Sequence, residues 1–427
     1  MLSQLIAQAV TSPTLRTLRW GCAATLRRIR NMRPQVIYFH QVDDPYSHLA
    51  VQLLPALADL YDVDFVPYLV PAPEPAAAPE AARLAAYARK DAALLASMHR
   101  LIFEGTRAPG DGAVRAIAGH LAGAPTVQVF AQQAIELGNA LWTGAQIRPA
   151  AEDGQAALAR GAALRQRLGH YLGATFYFEG EWYWGLDRLP YLETRLAPFR
   201  NKGAGPIVKT LEASEAADSR ASGVIDFFLS FRSPYTYLAA NRVQALAARR
   251  GATVRLRFVL PMVMRGLPVP RAKQIYIMRD TKREAERLGM PFGRVVDPVG
   301  PGVERGLAVL HHAIAVGRGP KFVESFLRGA FAEGVDATTD AGLLKVAARA
   351  GLSAAQVNIA LADPSWRSVA ETNRVQLFDL GLWGVPSFRV NGCDAHWGQD
   401  RLWAVERDLA GDGPFDEFAG GMMADIN

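Results

Sequence analysis

The chain has 427 residues, of which 50% are hydrophobic and 21% are charged, and its formal net charge is +6. This is ordinary globular composition, and the length predicts two or three domains. The positive charge is scattered, without the basic runs and interleaved aromatic residues of a nucleic-acid site, so no nucleic-acid partner is expected. The two cysteines, Cys22 and Cys393, form no CxxC pair, which argues against a disulfide framework and favours a reducing, cytoplasmic compartment.

The first 34 residues are basic, and the first acidic residue of the chain is Asp43. One interpretation is a transit peptide or a basic amphipathic anchor. The other, which we favour because the hydrophobic stripe is modest, is a helical lead-in packed on the first domain, with its second helix starting at Pro13. No apolar run is long enough to span a bilayer, so stable membrane insertion is not expected. The stripe consists of Leu15, Leu18, Ala23 and Leu26.

Two blocks of the chain resemble each other at both ends. Residues 36–50 read VIYFHQVDDPYSHLA and residues 224–239 read VIDFFLSFRSPYTYLA, and residues 173–189 parallel residues 384–402. Self-similarity of this kind predicts a tandem duplication of one domain. The two repeats would form an internal pseudo-dimer, and a homodimer of the chain is compatible with that arrangement.

Each block begins with a β-branched and aromatic run that leads into a helix starting at a proline, a residue favoured at the first helical position. A second strand follows, which predicts a βαβ unit with parallel strands. The predicted helices cover residues 46–58 and 235–248, and the second strands cover residues 63–70 and 253–260.

A largely helical stretch comes next in both blocks, and each block closes with a hairpin and a final helix. Glu179-Gly180 and Asn391-Gly392 supply the hairpin turns. The final helices are predicted to begin at aspartates that can also act as N-caps, namely Asp187 and Asp400.

Three stretches, FRSPYTYLA, KQIYIMRDTKREAERLGMPF and GVPSFRV…HWGQDRL, resemble the DsbA-like branch of the thioredoxin-like superfamily. Within that branch they are most similar to the 2-hydroxychromene-2-carboxylate isomerase family, which is akin to kappa-class glutathione transferases. The resemblance covers residues 224 to about 409 well and residues 36–196 in outline. It implies an α/β fold of two tandem thioredoxin-like domains, each with an inserted helical subdomain.

The domain boundaries follow from these observations. We predict a basic helical lead-in at 1–34, a degenerate thioredoxin-like repeat at 35–200, a linker at 201–222, a repeat carrying the site at 223–413 and a tail at 414–427.

Ser233 opens the quartet SPYT, where oxidoreductase relatives have CxxC. Because neither end carries sulfur, dithiol–disulfide exchange cannot occur there. A hydroxyl at a helix N-terminus lies where free N–H groups and the helix dipole favour an anion. The resemblance implies that Ser233 is the catalytic residue and hydrogen-bonds the sulfur of glutathione; the alternative is that it is only an N-cap.

The other glutathione contacts are implied by the resemblance. Val385-Pro386 would be a cis bond before the third strand, with the Val385 backbone pairing with the glutathione peptide. Gln399 and Asp400 would hold its γ-glutamyl end, Asp400 taking the ammonium group, although capping is an equal interpretation of Asp400. Lys273 suits the glycine carboxylate of glutathione or a substrate carboxylate, unless it belongs to a solvated, salt-bridged helix face.

The first block lacks these features. Asp44 stands in place of the serine and would repel a thiolate, and Ala174-Thr175 replaces the valine–proline pair. His40 and His48 flank Asp44, but such a cluster without a further ligand is a weak metal signal, and no metal is predicted. The first block is therefore expected to be a degenerate scaffold.

The sequence thus predicts a glutathione-dependent isomerase or transferase that acts on an aromatic or conjugated keto-acid. Two alternatives stay open. One is a DsbA-family protein with an oxidoreductase fold and no CxxC redox activity, and the other is a non-catalytic thioredoxin-like binding module.

Overall fold

A computed structural model describes residues 2–105, 107–201, 203–214 and 223–411. The predicted tail, residue 202 and residues 215–222 of the predicted linker lie outside these residues. The described chain divides into two compact units. The N-terminal unit comprises Pro13–Thr210 with Pro270–Tyr276, and the C-terminal unit comprises Met1–Ser12, Leu211–Val269 and the chain from Ile277 onward. The two helices of the predicted lead-in therefore belong to different units.

Each unit contains one four-stranded sheet. The strands of the first are β1 Gln35–His40, β2 Asp64–Leu69, β3 Thr175–Phe178 and β4 Glu181–Trp184; those of the second are β5 Val224–Leu229, β6 Thr253–Phe258, β7 Ser387–Val390 and β8 Ala395–Trp397. The spatial orders are β2-β1-β3-β4 and β6-β5-β7-β8. In both sheets the first two strands are parallel and the other pairs antiparallel. The predicted order of βαβ unit, helices, hairpin and final helix is present in both halves.

Eight helices lie in the chain before β5. They are α1 Leu2–Thr11, α2 Pro13–Ile29, α3 Pro45–Leu60, α4 Ala81–His99, α5 Asp111–Ala122, α6 Val127–Thr143, α7 Gln155–Leu168 and α8 Leu189–Leu196. Eight more follow β5 within the described residues: α9 Pro234–Arg250, α10 Arg271–Arg287, α11 Pro301–Ala315, α12 Gly319–Arg328, α13 Asp340–Arg349, α14 Ala354–Ala362, α15 Trp366–Asp379 and α16 Leu402–Ala410. Helices α3 and α9 begin at their prolines, as predicted. None of the described helices is both long enough and apolar enough to cross a bilayer.

The prediction that Asp187 and Asp400 cap the last helices is wrong. A 3₁₀ turn comes first in each half, and its N-cap residue is a glycine, Gly185 or Gly398. The α-helices α8 and α16 then begin at Leu189 and Leu402, each after an arginine whose side chain makes no capping bond. The aspartates lie inside the 3₁₀ turns, two positions after the N-cap glycine of the turn and one position before the N-cap arginine of the α-helix.

The described part of the predicted linker is attached at both ends by buried carboxylates. Glu193 of α8 accepts hydrogen bonds from the backbone N–H groups of Ile207 (2.7 Å) and Val208 (2.8 Å) in the N-terminal unit. Glu406 of α16 accepts from the N–H of Ser214 in the C-terminal unit. Buried carboxylates need such donors, because burying an unpaired charge is costly. These stretches are therefore fixed to their units.

Candidate functional site

Ser233 is the N-cap residue of α9, directly after the loop that follows β5. Its hydroxyl oxygen accepts from the N–H of Thr236 (3.2 Å), as a capping side chain does. The same hydroxyl donates to the carbonyl oxygen of Val385 (3.1 Å). The side chain therefore caps the helix and also joins it to the loop before β7. It is half-buried, while Thr236 is fully buried and its hydroxyl has no hydrogen-bond partner.

The loop before β7 forms the other side of this site. The Val385–Pro386 peptide bond is cis, and no cis bond occurs at Ala174–Thr175 in the N-terminal unit. Arg265 donates to the carbonyl oxygen of Trp383 (2.8 Å), which fixes the loop from beneath. Val385 is half-buried, and its carbonyl oxygen accepts the hydrogen bond from Ser233.

Gln399 and Asp400 lie in the 3₁₀ turn Gln399–Arg401, after β8. The Gln399 side chain is only 1% exposed. Its amide oxygen accepts from Arg242, and its amide nitrogen donates to Glu284 (3.1 Å) and to Asp400. The amide is thus fully engaged inside the protein, which differs from the expected direct contact with a ligand. Asp400 is half-buried and is oriented by Gln399.

Lys273 lies in the first turn of α10, in the part of that helix that belongs to the N-terminal unit. Its ammonium group donates to the carbonyl oxygen of Ala77 (2.8 Å) and lies 6.0 Å from the centre of the Tyr171 ring. Burial lowers the pKa of Lys273 to about 8. The face that continues from it is buried, not solvated, because Tyr276, Asp280 and Arg283 are 8% exposed or less.

A tyrosine–aspartate pair joins the site helix to the first inserted helix in both units. Tyr235 of α9 donates to Asp280 of α10 (2.8 Å), and Tyr46 of α3 donates to Asp91 of α4 (2.8 Å). Both aspartates are buried. The Tyr235 hydroxyl therefore has a structural contact within its own unit.

The corresponding position in the N-terminal unit is occupied by the protein's own carboxylate. Asp44, the N-cap of α3, accepts from the N–H of Tyr46 (3.3 Å), from the N–H of Ser47 (3.0 Å) and from the Ser47 hydroxyl (2.7 Å). Ser47 in turn accepts from the N–H of Ala174 (2.8 Å), whose φ of 50° lies in the left-handed region. Burial raises the pKa of Asp44 to about 6.

The histidines beside Asp44 have other partners. His40 Nδ1 lies 3.0 Å from the Tyr38 hydroxyl, and His48 Nε2 lies 3.1 Å from the Asn139 side-chain oxygen. Burial lowers the pKa of His40 to about 3 and that of His48 to about 4, so both are neutral at pH 7. Within the described residues no group of three or more His, Cys, Asp or Glu is placed to hold a metal ion.

Three residues of these sites were missed by reasoning from the sequence. Ser47 could have been found by aligning the quartet DPYS with SPYT, since it occupies the position of Thr236. Arg242 and Glu284 gave no signal, because they reach Gln399 from helices far from it in sequence.

Comparison with known families agrees with this geometry in the second half of the chain. Residues 224–410 match the family model described as a DSBA-like thioredoxin domain. The match does not extend to the first half, and no curated protein matches the chain. The matched range contains Ser233, Lys273, Val385, Pro386, Gln399 and Asp400.

Several solved structures are similar at low identity. One is a 2-hydroxychromene-2-carboxylate isomerase, at 21% identity and a TM-score of 0.38, covering 44% of this chain and 94% of that one. A probable DsbA oxidoreductase from Streptomyces coelicolor has 23% identity and a TM-score of 0.36, covering 44% and 91%. Cytosolic disulfide reductase DsbM from Pseudomonas aeruginosa, solved with GSH, has 20% identity and a TM-score of 0.33, covering 44% and 96%. Similarity at this level gives no argument about activity.

Proposed function

We propose that the C-terminal unit is a glutathione-dependent isomerase or transferase that acts on an aromatic or conjugated keto-acid. The observation that carries this proposal is the position of Ser233. Its hydroxyl lies at the N-terminus of α9, beside the backbone of Val385, and the SPYT quartet has no sulfur. A site with this geometry and no cysteine can hold an external thiolate but cannot perform dithiol exchange.

The residues at the site fit a bound thiol peptide in part. Ser233 supplies a hydroxyl donor, and Thr236 supplies a second hydroxyl, fully buried, that has no partner within the protein. The half-exposed edge of Val385 would pair with the peptide backbone. Pro386 would hold that edge in place.

The charged ends of the ligand would be held less directly. Asp400 would accept the α-ammonium group of the γ-glutamyl residue, and Gln399 would orient that carboxylate, since its own amide is engaged. Lys273 would take a carboxylate on the strength of the resemblance alone, since it lies in the N-terminal unit, where burial lowers its pKa to about 8.

Glutathione, when bound, would supply a thiolate nucleophile for reversible addition to a conjugated acid. The Ser233 hydroxyl would give up its hydrogen bond to the Val385 carbonyl oxygen and donate a hydrogen bond to the thiolate sulfur instead. The Thr236 N–H would continue to donate to the Ser233 oxygen, which keeps the hydroxyl in position. Trp383 and Trp397, whose ring centres are 4.9 Å apart, would limit the access of water from one side.

Ser233→Ala tests this proposal. A hydrogen bond to a charged group contributes about 1.5–3 kcal/mol, and giving up the bond to Val385 offsets about 0.5–1.5 kcal/mol of that. One pKa unit corresponds to about 1.36 kcal/mol. We therefore expect the pKa of the bound thiol, read by thiolate absorbance, to rise by about one unit. Ser230→Ala is the matched control, because the Ser230 hydroxyl is buried nearby without a hydrogen-bond partner.

Other results would support one of the alternatives. Glutathione binding with an unchanged titration in Ser233→Ala would leave Ser233 as a helix cap. Absence of binding by calorimetry would favour a non-catalytic thioredoxin-like module. A dithiol redox equilibrium would favour an oxidoreductase, against the lack of cysteine in the quartet.

We further propose that the two halves arose by tandem duplication, that they form an internal pseudo-dimer, and that the N-terminal half is a degenerate thioredoxin-like domain. The shared strand order and the paired tyrosine–aspartate contacts support this. A cytoplasmic location is also proposed, since Cys22 and Cys393 are free, exposed thiols.

A further inference from the structure

Helix α2 leaves its apolar stripe in solvent. Five of its residues recur at spacings of three and four, which places them on one face of a helix. They are Leu15, Leu18, Cys22, Leu26 and Ile29. The four aliphatic side chains are 48–74% exposed, and no residue of α2 is buried. Below, the stripe of α2 means these five residues and not the four-residue pattern described from the sequence.

Side chains that border the stripe or lie behind it explain how α2 is held. Arg19 pairs with Glu181 (3.2 Å) and Arg27 pairs with Glu179 (2.8 Å), so two salt bridges attach it to the hairpin of the N-terminal unit. Arg195 lies over the Trp20 ring, with its guanidinium carbon 4.1 Å from the ring centre. The helix is therefore attached by two arginines and Trp20, and the aliphatic side chains of the stripe stay exposed. An amphipathic helix packed on its own domain normally buries the apolar face instead.

The charged residues around the stripe indicate which kind of surface it can bind. The first 42 residues contain six arginines and no Lys, Asp or Glu. Three of the arginines are paired with acids of the N-terminal unit: Arg19, Arg27 and Arg33. Arg28 and Arg30 are exposed on either side of Ile29, at the end of the helix. An apolar stripe bordered by exposed arginines complements a surface that is apolar inside and anionic outside.

We propose that the stripe of α2 binds the surface of an anionic lipid bilayer, with the helix lying in the plane of the interface. The leucines and Ile29 would enter the boundary between headgroups and acyl chains, while Arg28 and Arg30 contact lipid phosphates. The helix lies on the membrane and does not cross it. A second copy of this chain fits the stripe less well, because stripe-to-stripe packing would bring the two sets of arginines together.

Vesicle co-sedimentation of the full chain tests the proposal. We expect binding to vesicles of phosphatidylcholine with 30% phosphatidylglycerol, weaker binding to pure phosphatidylcholine, and loss of most binding when salt is raised to about 0.5 M, where the Debye length falls to a few Å. Changing both Leu18 and Leu26 to Ser should lower the partition coefficient roughly thirtyfold, since burying the exposed half of one leucine changes it about fivefold.

The matched control is Ile359→Ser. Ile359 is 60% exposed but lies outside α2, so this change removes a comparable apolar side chain without touching the stripe. It should leave the partition coefficient unchanged. Arg28→Gln with Arg30→Gln should remove the preference for anionic vesicles and leave weak binding to neutral ones. All these side chains are exposed, so the thermal unfolding of each variant should match that of the unaltered chain.

Cys22 gives an independent measurement from within the stripe. In a Cys393→Ser background, an environment-sensitive fluorophore on Cys22 should shift to the blue on anionic vesicles and be quenched by brominated acyl chains. Failure to bind anionic vesicles, or equal binding by the Leu18/Leu26 variant, would overturn the proposal. A dimer in light scattering that the leucine changes dissolve would also overturn it, and would assign the stripe to a second copy.

Discussion

The N-termini of α3 and α9 are capped by side chains of different charge and with different hydrogen-bond partners. In the N-terminal unit, the Asp44 carboxylate accepts two backbone N–H groups and the Ser47 hydroxyl, and Ser47 reaches on to Ala174. The position where an anion is stabilised is thus filled by the chain itself. In the C-terminal unit, a neutral hydroxyl caps the helix at Ser233, and the hydroxyl of Thr236 has no partner.

The two units therefore differ in how many of these polar groups have partners within the protein. The N-terminal network satisfies its hydroxyl and its helix N–H groups internally, as buried polar networks must in order to stabilise a fold. The C-terminal site leaves one hydroxyl unsatisfied and one half-exposed, which suits an exchangeable partner. Four changes can break or sharpen the comparison.

Low pH should produce the largest difference in stability between the two units. Burial lowers the pKa of His40 and His170 to about 3 and that of His48 to about 4. Because these folded-state values lie below about 6.5, their stabilising contribution is present above pH 6.5 and is lost as the pH falls toward 3–4. At pH 5 each should cost about 2 kcal/mol, so we expect the N-terminal unit to lose roughly 4–6 kcal/mol relative to pH 7.

Urea unfolding followed by hydrogen exchange of β1 and β5 peptides would measure this loss in each unit. Every histidine that is buried among the described residues lies in the N-terminal unit, so β5 should respond less. His170→Gln should remove about a third of the pH dependence. Equal acid sensitivity of β1 and β5 would contradict the comparison.

Ser233→Asp should convert the C-terminal site to the N-terminal arrangement. Aspartate is a good N-cap, so the helix should form, but its charge would lie about 4 Å from the bound sulfur. At an effective dielectric constant of 20 that repulsion is about 4 kcal/mol, and we expect glutathione affinity at pH 8 to fall by a hundredfold or more. Ser233→Asn, neutral and also a good cap, should change it only a few-fold by calorimetry. An equal loss in both variants would point to shape and not charge.

The paired tyrosines should behave alike in the two units. Tyr46→Phe and Tyr235→Phe each remove a hydroxyl that donates to a buried aspartate, and each should cost its own unit about 1–3 kcal/mol of unfolding free energy. Tyr68→Phe is the control, since that ring stacks on Phe39. If only one of the two changes is destabilising, the tyrosine–aspartate hydrogen bond stabilises only that unit.

Asp44→Asn should have the smallest effect, and it should be stabilising. The pKa of Asp44 is raised to about 6, mainly by burial, so its contribution is complete below about pH 4 and is lost as the pH rises through 6. Asparagine caps equally well and carries no charge. We expect a gain of about 1 kcal/mol at pH 7 that disappears near pH 4, measured by urea unfolding of the N-terminal unit. A loss at pH 7 would show that the ionised network is favourable.

Much of the fold could be predicted because its signals are local. Proline at the first turn of α3 and α9 fixed where those helices begin, and the Asn391-Gly392 dipeptide placed a hairpin turn. The β-branched and aromatic runs before these helices identified the first strand of each βαβ unit. The last helices were misplaced by two residues because a 3₁₀ turn and the start of a helix have nearly the same sequence signals.

The candidate site was predictable only where its residues share a short segment. The quartet that begins at Ser233 and its counterpart at Asp44 were visible in sequence, because capping depends on residues one to three positions apart. Other features depend on which elements pack together. They are the hydrogen bonds of Gln399 to Arg242 and Glu284, the contact of Lys273 with Ala77, and the solvent exposure of the α2 stripe. Sequence determined the local chemistry at each helix start. Only the tertiary structure decided which polar groups are satisfied within the protein and which are left without a partner, because partners far apart in the chain meet only on folding.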